Sequence, residues 1–409
     1  MKKNFKEILL LIGFIGLFIF IHTLYYKNLF VFVHDQVSSS TKAMELWKTK
    51  SFTLIGPPLS FSIENRQIYF GSLCYYIQLF FLLVGKFDPF WSTYSFMIFS
   101  ALMIVPLYLG MKSLINKKAA IMMIILYSLL PFYIESTHTL WNPYFLFSLL
   151  PTHLFLISRF VRKENPFLFL AISVLNGVLF QLHYMFIFVI LGQLIFFFLI
   201  RKISWKYLAI FVAGAAIGIG NLILFEMRHG FYLLKTFRLY LTHPKQITGH
   251  WFADYYLLSE SFYALVIFLY WTKKLITGKT IIVLFILLSL LAFNHVALTA
   301  GSRHYPKDWY YEDELKAYSI IKTDFMEKNF NIFEFYNATG DTQKYFLKRD
   351  GAPLNYNDYY YNQYLYVIYK KGGGFTKDPA YEIGSFQPSK IINEWKINNY
   401  YNLYLLKRI

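Results

Sequence analysis

The sequence predicts an all-α polytopic membrane bundle of about nine transmembrane helices, followed by a small C-terminal extracytoplasmic α+β domain. Three observations predict the bundle and its appended domain. Of the 409 residues, 56% are hydrophobic and only 15% are charged, against roughly 45–50% and about 25% in soluble domains. Apolar runs approaching the roughly 20 residues that cross a bilayer recur from the N-terminus to residue 299. After residue 301 such runs stop. Cys74 is the only cysteine, which excludes a disulfide scaffold and a cysteine-built zinc site. The apolar content excludes a disordered chain.

The first run, Ile8–Tyr26, follows Lys2, Lys3 and Lys6. No small-residue cleavage site follows it, so it reads as an uncleaved anchor. Tyr94–Met111, Ala119–Pro131, Leu140–Ile157, Phe167–Phe180, Met185–Ile200, Tyr207–Phe225, Tyr256–Trp271 and Ile281–Thr299 come next. Several are short, which tilt and flanking aromatic residues accommodate. Cytoplasmic loops carry the excess of Lys and Arg. With the N-terminus inside and the spans alternating, every short basic loop falls inside: Lys112, Lys117 and Lys118; Arg159, Arg162 and Lys163; Arg201, Lys202 and Lys206; Lys273, Lys274 and Lys279. The long segments Phe32–Trp91, Glu226–Tyr255 and Ser302–Ile409 fall outside. The net charge of +17 is therefore mostly an orientation signal, and no basic stripe points to nucleic acid. The expected location is the plasma membrane, multi-pass, with the N-terminus cytoplasmic and the C-terminal domain extracytoplasmic. Tyr69–Trp91 is apolar enough to span, but counting it would invert every later loop. It reads as a Tyr-rich amphipathic helix in the outer interface.

Residues 1–301 thus form the transmembrane domain, with interfacial helices in its outer loop 32–91. Residues 302–409 form the α+β domain. There, "YYEDELKAYSIIKTDFMEKN" has helical spacing, and strands are expected near Asn331–Tyr336, Leu365–Tyr369 and Tyr401–Leu406. Gly372–Gly374 marks a turn.

Charges in mid-span would favour transport, and those positions are almost free of charge. Polar residues collect at the outer ends of the spans: His34 and Asp35; Glu135, His138, Trp141 and Asn142; Gln181 and His183; Glu226, Arg228 and His229. That placement suits a reaction at the lipid–water boundary. Each group also has a plainer reading. Trp-Asn-Pro is an aromatic anchor with a helix-starting proline, His183 a satisfied interface histidine, and "FEMRHG" a helix end with its C-terminal glycine.

"HDQVSSSTKAMELWKTKSFTLIGPPLS" and "YFGSLCYYIQLFFLLVG", then "LWNPY", "FQLHYMF" and "LFEMRHGF", resemble in order and spacing the landmarks of GT-C glycosyltransferases of the protein mannosyltransferase-like group (family 39). The resemblance covers roughly Asp35 to Phe231. It implies an inverting transferase that moves a sugar from a polyprenyl-phosphate donor to a hydroxyl of a glycan, lipid or protein acceptor outside the membrane. By position, Asp35 matches the general base. Arg66, Arg228 and His229, chosen by side and charge, are expected to bind the donor phosphate, with Lys42 a weaker candidate. His34, Gln36, Glu64, Tyr69, His138, Asn142, His183 and Glu226 are expected to line the site or meet the acceptor. No cofactor is implied, and a divalent metal stays open. Two departures stand out: Ser38 and Ser39 replace the group's Arg-Asp, and Gly71-Ser72-Leu73-Cys74 replaces Gly-Pro-Leu-Tyr. Glu64 is a candidate substitute for the missing Asp. The departures keep two alternatives in play, a lipid-linked sugar transporter or flippase and a catalytically degenerate assembly protein. The sugar and the acceptor are not legible.

Overall fold

The structure is a computed structural model that describes residues 2–24, 26–243, 248–249, 257–299, 305–325, 329–336, 339–352, 359–375 and 378–409. The chain divides into two compact units. The first is Met1–Leu24 with Glu45–His295, and the second is Tyr25–Met44 with Val296–Ile409.

In the first unit every expected span contains helix: Lys2–Thr23, Pro89–Leu102 running on into Ile104–Leu114, Lys117–Leu129, Asn142–Arg162, Pro166–Leu182, Tyr184–Ile200, Lys206–Gly218 with Gly220–Arg228, Leu258–Thr272 and Gly278–Thr299. Four are long and apolar enough to cross a membrane by themselves: Phe5–Thr23, Pro89–Leu114, Asn142–Arg162 and Gly278–His295. This is a multi-pass membrane protein. Tyr256, where the eighth span was expected to begin, lies outside the described residues. Local chemistry sets the starts. Asp88 accepts the Trp91 N–H at 3.1 Å ahead of Pro89, and Asn116 accepts the Ala119 N–H at 2.9 Å. Asn165 accepts the Phe167 N–H at 2.8 Å ahead of Pro166. Each satisfies an orphan donor, with proline placed where no N–H is needed.

The seventh span is not the continuous run the sequence predicts. Lys206–Gly218 and Gly220–Arg228 meet at a bend of 71°. Small residues explain both the packing and the break. A Cβ on Gly218 would lie 2.2 Å from the Val174 carbonyl oxygen and 2.8 Å from the Gly177 Cα, and one on Gly214 would lie 2.5 Å from the Ser173 Cβ. The helices therefore touch backbone to backbone, as small residues four apart allow in membranes. The bend frees the Gly218 carbonyl, which the Gln181 amide caps at 2.6 Å. Lipid cannot supply that bond, so a side chain must.

The unit also contains a sheet that the sequence reading missed. β1 (Ile55–Ile63) and β2 (Arg66–Gly71) form an antiparallel hairpin, and β3 (Thr248–Gly249) pairs with β1. Pro57 and Pro58 hide β1, because proline has no N–H for a ladder, and the register shifts around Pro58. Ile63 and Ile68 pack with Leu222, Phe225, Leu233 and Tyr240. Tyr69 lies in β2, so the expected interfacial helix starts later, at Leu73, and ends at Val84. At about 18 Å it is too short to span.

In the second unit, β4 (Phe330–Glu334), β5 (Tyr364–Lys370), β6 (Ser389–Lys396) and β7 (Tyr401–Arg408) form a sheet of order β4-β5-β7-β6. β4 and β5 are parallel, with the helix Asp341–Arg349 between them in sequence, and the other pairs are antiparallel. β4, β5 and β7 lie where the sequence places strands. β6 is an edge strand, exposed along most of its length, and so shows no apolar alternation. The predicted helix runs Tyr311–Asp324; residues 326–328 lie outside the described set. Phe333, Leu365, Val367, Phe386, Tyr404 and Leu406 build the core. The early segment completes this unit. The Phe30 and Phe32 rings lie 4.7 Å from Tyr311 and 5.0 Å from Tyr345. The Tyr305 hydroxyl accepts the Phe32 N–H at 3.3 Å and donates to the Phe32 carbonyl at 3.2 Å.

Candidate functional site

The helix His34–Thr49, which belongs to the second unit as far as Met44, carries Asp35 in its first turn, where a carboxylate complements the helix dipole. Asp35, Ser38, Ser39 and Lys42 follow the i, i+3, i+4, i+7 spacing of one helix face. Asp35, Ser38 and Lys42 are exposed and Ser39 is half-buried, while Gln36, Val37, Ser40, Ala43 and Met44 are buried. The two serines that depart from the resembled pattern thus share a face with Asp35. Gln36 is structural, since its Oε1 accepts the Val33 N–H at 3.3 Å.

His34 ties the helix start to the domain, with its Nδ1 3.2 Å from the Asp341 Oδ2. Burial works to raise the Asp341 carboxyl, but bonds from His34 and Thr339 and the Lys344 charge outweigh it, and the carboxyl lies below its ordinary value. Deeper in this unit Glu314 accepts the Trp309 Nε1–H at 2.5 Å, the Gln343 amide at 2.6 Å and the Tyr336 hydroxyl. Burial pushes Glu314 up to about 7. Glu334 is fully buried with neither oxygen hydrogen-bonded to a described residue. Burial first, then the Glu314 and Asp341 charges, raise it well above the ordinary range.

The other candidates belong to the first unit. Glu64 and Asn65 form the β1–β2 turn with φ of 49° and 60°, a two-residue hairpin geometry that needs left-handed backbone. Glu64 and Arg66 are exposed at this tip. The Gln67 N–H donates to the Tyr232 hydroxyl at 3.4 Å, which brings the tip beside the segment that follows Arg228. There Glu226 is structural, because its oxygens accept the N–H groups of Leu233 at 2.7 Å and Leu234 at 3.0 Å and so cap the helix Tyr232–Thr242. His229 stacks on Phe225 at 4.1 Å, and its Nδ1 lies 2.9 Å from the Phe225 carbonyl. Arg228 is exposed and makes no side-chain hydrogen bond or ion pair among the described residues.

Tyr69, Asn142 and His183 come together around the 181–184 turn. The Tyr184 hydroxyl donates to the Tyr69 carbonyl, and the Asn142 amide donates to the Leu182 carbonyl at 2.9 Å. His183 stacks on Phe70 at 5.8 Å, and burial lowers it to about 4. His138 is committed elsewhere: its ring nitrogens lie 2.8 Å from the carbonyls of Ile134 and His22. Burial lowers its affinity for a proton.

Several polar residues escaped the sequence reading. His295 lies 2.7 Å from Glu135, and His22 Nδ1 lies 2.7 Å from the Thr137 hydroxyl. His153, 2.5 Å from the Tyr263 hydroxyl, is buried in the bundle, as are Asn176 and Gln193. Their signal was an amide or imidazole interrupting an apolar run. Among the described residues no group of three His, Cys, Asp or Glu side chains could hold a metal ion.

No protein-family model matches the sequence, and no curated protein does. A solved structure does match: the crystal structure of ArnT from Cupriavidus metallidurans bound to undecaprenyl phosphate. The TM-score is 0.59 at 9% identity, over 97% of this chain and 98% of that one. The fold is the GT-C fold of ArnT. The likeness to ArnT takes in both the helical bundle and the C-terminal sheet. It bears on the fold, while the narrower family 39 resemblance rests on the residues quoted for it.

Proposed function

We propose that the protein is an inverting glycosyltransferase that moves a sugar from a polyprenyl phosphate to an acceptor hydroxyl at the outer membrane face. The observation that carries this is the near-full-length likeness to ArnT, a protein crystallised with undecaprenyl phosphate. The open face of the Asp35 helix adds to it. The Asp35 carboxylate takes the acceptor proton as the hydroxyl oxygen attacks the anomeric carbon. The bond from that carbon to the phosphate oxygen breaks, and the polyprenyl phosphate leaves with the electron pair. Arg228 is the preferred cation for the departing phosphate, because it is exposed and uncommitted to a described side chain. Arg66 is second, and His229 is third, because its Nδ1 faces a carbonyl. Ser38 and Ser39 offer hydroxyls where the resembled group has a charged pair, which points to a different sugar or acceptor. Glu226, His138 and Glu64 take structural parts.

The test is product formation by the purified protein in nanodiscs with a panel of polyprenyl-phosphate sugars. Wild type should transfer, Asp35→Asn should lose turnover, and Arg228→Ala should raise the KM for donor. Donor crossing the bilayer without product would favour the flippase alternative. No product from any donor would favour the degenerate one.

A further inference from the structure

The helix Tyr232–Thr242 has 11 residues, about 16 Å at 1.5 Å per residue, and cannot cross the roughly 30 Å hydrocarbon core. Leu233, Thr236 and Tyr240 are its buried positions. Leu233 and Tyr240 pack with Ile63, Ile68, Leu222 and Phe225, and the Tyr240 hydroxyl donates to the Phe61 carbonyl at 3.0 Å. The helix is therefore fixed by one side to the β1–β2 hairpin.

Its apolar arc is wider than that contact. Leu234, Phe237 and Leu241, spaced i, i+3, i+7, are 60%, 53% and 68% exposed. Lys235 and Arg238 border this stripe, both exposed. From Met227 to His243 the sequence has no acidic residue. The nearest, Glu226, has both oxygens committed to the Leu233 and Leu234 N–H groups. Exposed Leu224 and Met227, on the outer half of the seventh span, lead into the stripe along the chain.

A short helix with an uncovered apolar stripe bordered by charge of one sign has the composition of a helix lying in the plane of a bilayer. We propose that Tyr232–Thr242 seats on the membrane surface, with Leu234, Phe237 and Leu241 among the acyl chains and Lys235 and Arg238 on anionic phospholipid headgroups. The seat is independent of the transfer reaction, since it uses neither Asp35 nor Arg228. It gives the β1–β2 hairpin a fixed depth at the lipid boundary.

The test uses the full chain with Phe237→Cys, labelled with a polarity-sensitive dye. Cys74 is buried and does not compete for the label. The protein is placed in nanodiscs of phosphatidylcholine with or without phosphatidylglycerol. Emission should be blue-shifted, and spin-labelled phosphatidylglycerol should quench it more than spin-labelled phosphatidylcholine. Lys235→Glu with Arg238→Glu should remove that preference, by about fivefold for each cation lost. Water-like emission that neither lipid quenches would overturn the seat. Equal quenching by both lipids, insensitive to the charge reversals, would overturn the headgroup assignment.

Discussion

The helix His34–Thr49 and the turns of the bundle carry the same kinds of polar residue, but their polar atoms meet different things. In the bundle, Glu226 caps a helix with both oxygens, His138 faces two carbonyls and Asn142 holds the Leu182 carbonyl. On the helix, Asp35, Ser38 and Lys42 project from an exposed face. A shared membrane depth gathered both sets as candidates. A backbone buried in lipid needs every donor and acceptor satisfied, and in the bundle side chains are spent on that need. Arg228, exposed and without a side-chain hydrogen bond or ion pair among the described residues, is an exception.

The comparison breaks most visibly at Asp35. Asp35→Asn should lower turnover by about 10²–10⁴ while shifting stability by less than about 0.5 kcal/mol, as exposed substitutions do. Steady-state rates beside a melting curve check both halves. A large loss of stability would return Asp35 to the structural set.

Next comes the small-residue contact. Gly218→Leu places atoms where Val174 and Gly177 backbone already lie. It should cost about 1–3 kcal/mol or more, read as a lowered melting temperature in detergent. An unchanged melt would mean the two helices do not meet as closely as described.

The second unit differs from the bundle in burying acidic groups, and this sharpens the contrast through pH. Glu314 and Glu334 have folded-state values raised above their unfolded ones. The folded unit then keeps protons that the unfolded chain has released. The Glu314 contribution is full below the ordinary Glu value near 4.5 and is lost as pH rises through about 7, and that of Glu334 is lost as pH rises through its own raised value. Hydrogen-exchange protection factors of β4 and β5, which remove the intrinsic base-catalysed rise, should therefore fall from pH 5 to pH 8. Glu334→Gln should flatten that trend, and protection that rises over the same range would refute it. Asp341 and Asp350 lie below their ordinary values, so their contributions fade only in stronger acid.

The smallest effect is expected at Glu226. Glu226→Ala removes two cap bonds to backbone N–H groups and should cost about 1–2 kcal/mol, with turnover per folded molecule preserved. Turnover falling as far as in Asp35→Asn would put Glu226 back among reacting groups.

Much of this fold was legible because hydropathy and basic loops are summed over many residues. Helices stand at all nine predicted spans, and three strands of the C-terminal sheet stand where short apolar runs placed them. What stayed hidden depends on partners far apart in sequence. β1 was masked by its prolines, β6 by its exposed edge position, and the bend after Gly218 by the need to know that Gly177 lies against it. The membership of Tyr25–Met44 in the C-terminal unit comes from Phe30 and Phe32 finding Tyr311 and Tyr345, which no local pattern announces. For the site, the sequence showed which residues were polar and which of them to expect near the span ends. It did not show which were already consumed by backbone groups.

The most direct test of the proposed reacting face is photo-crosslinking with a polyprenyl-phosphate sugar bearing a diazirine on the sugar ring. Peptide mapping should find the label on the Ser38–Lys42 stretch of the helix His34–Thr49, competed away by unlabelled donor. Labelling confined to peptides around Glu64, His138 or Glu226, with the helix unmodified, would contradict the assignment of that face to the reaction.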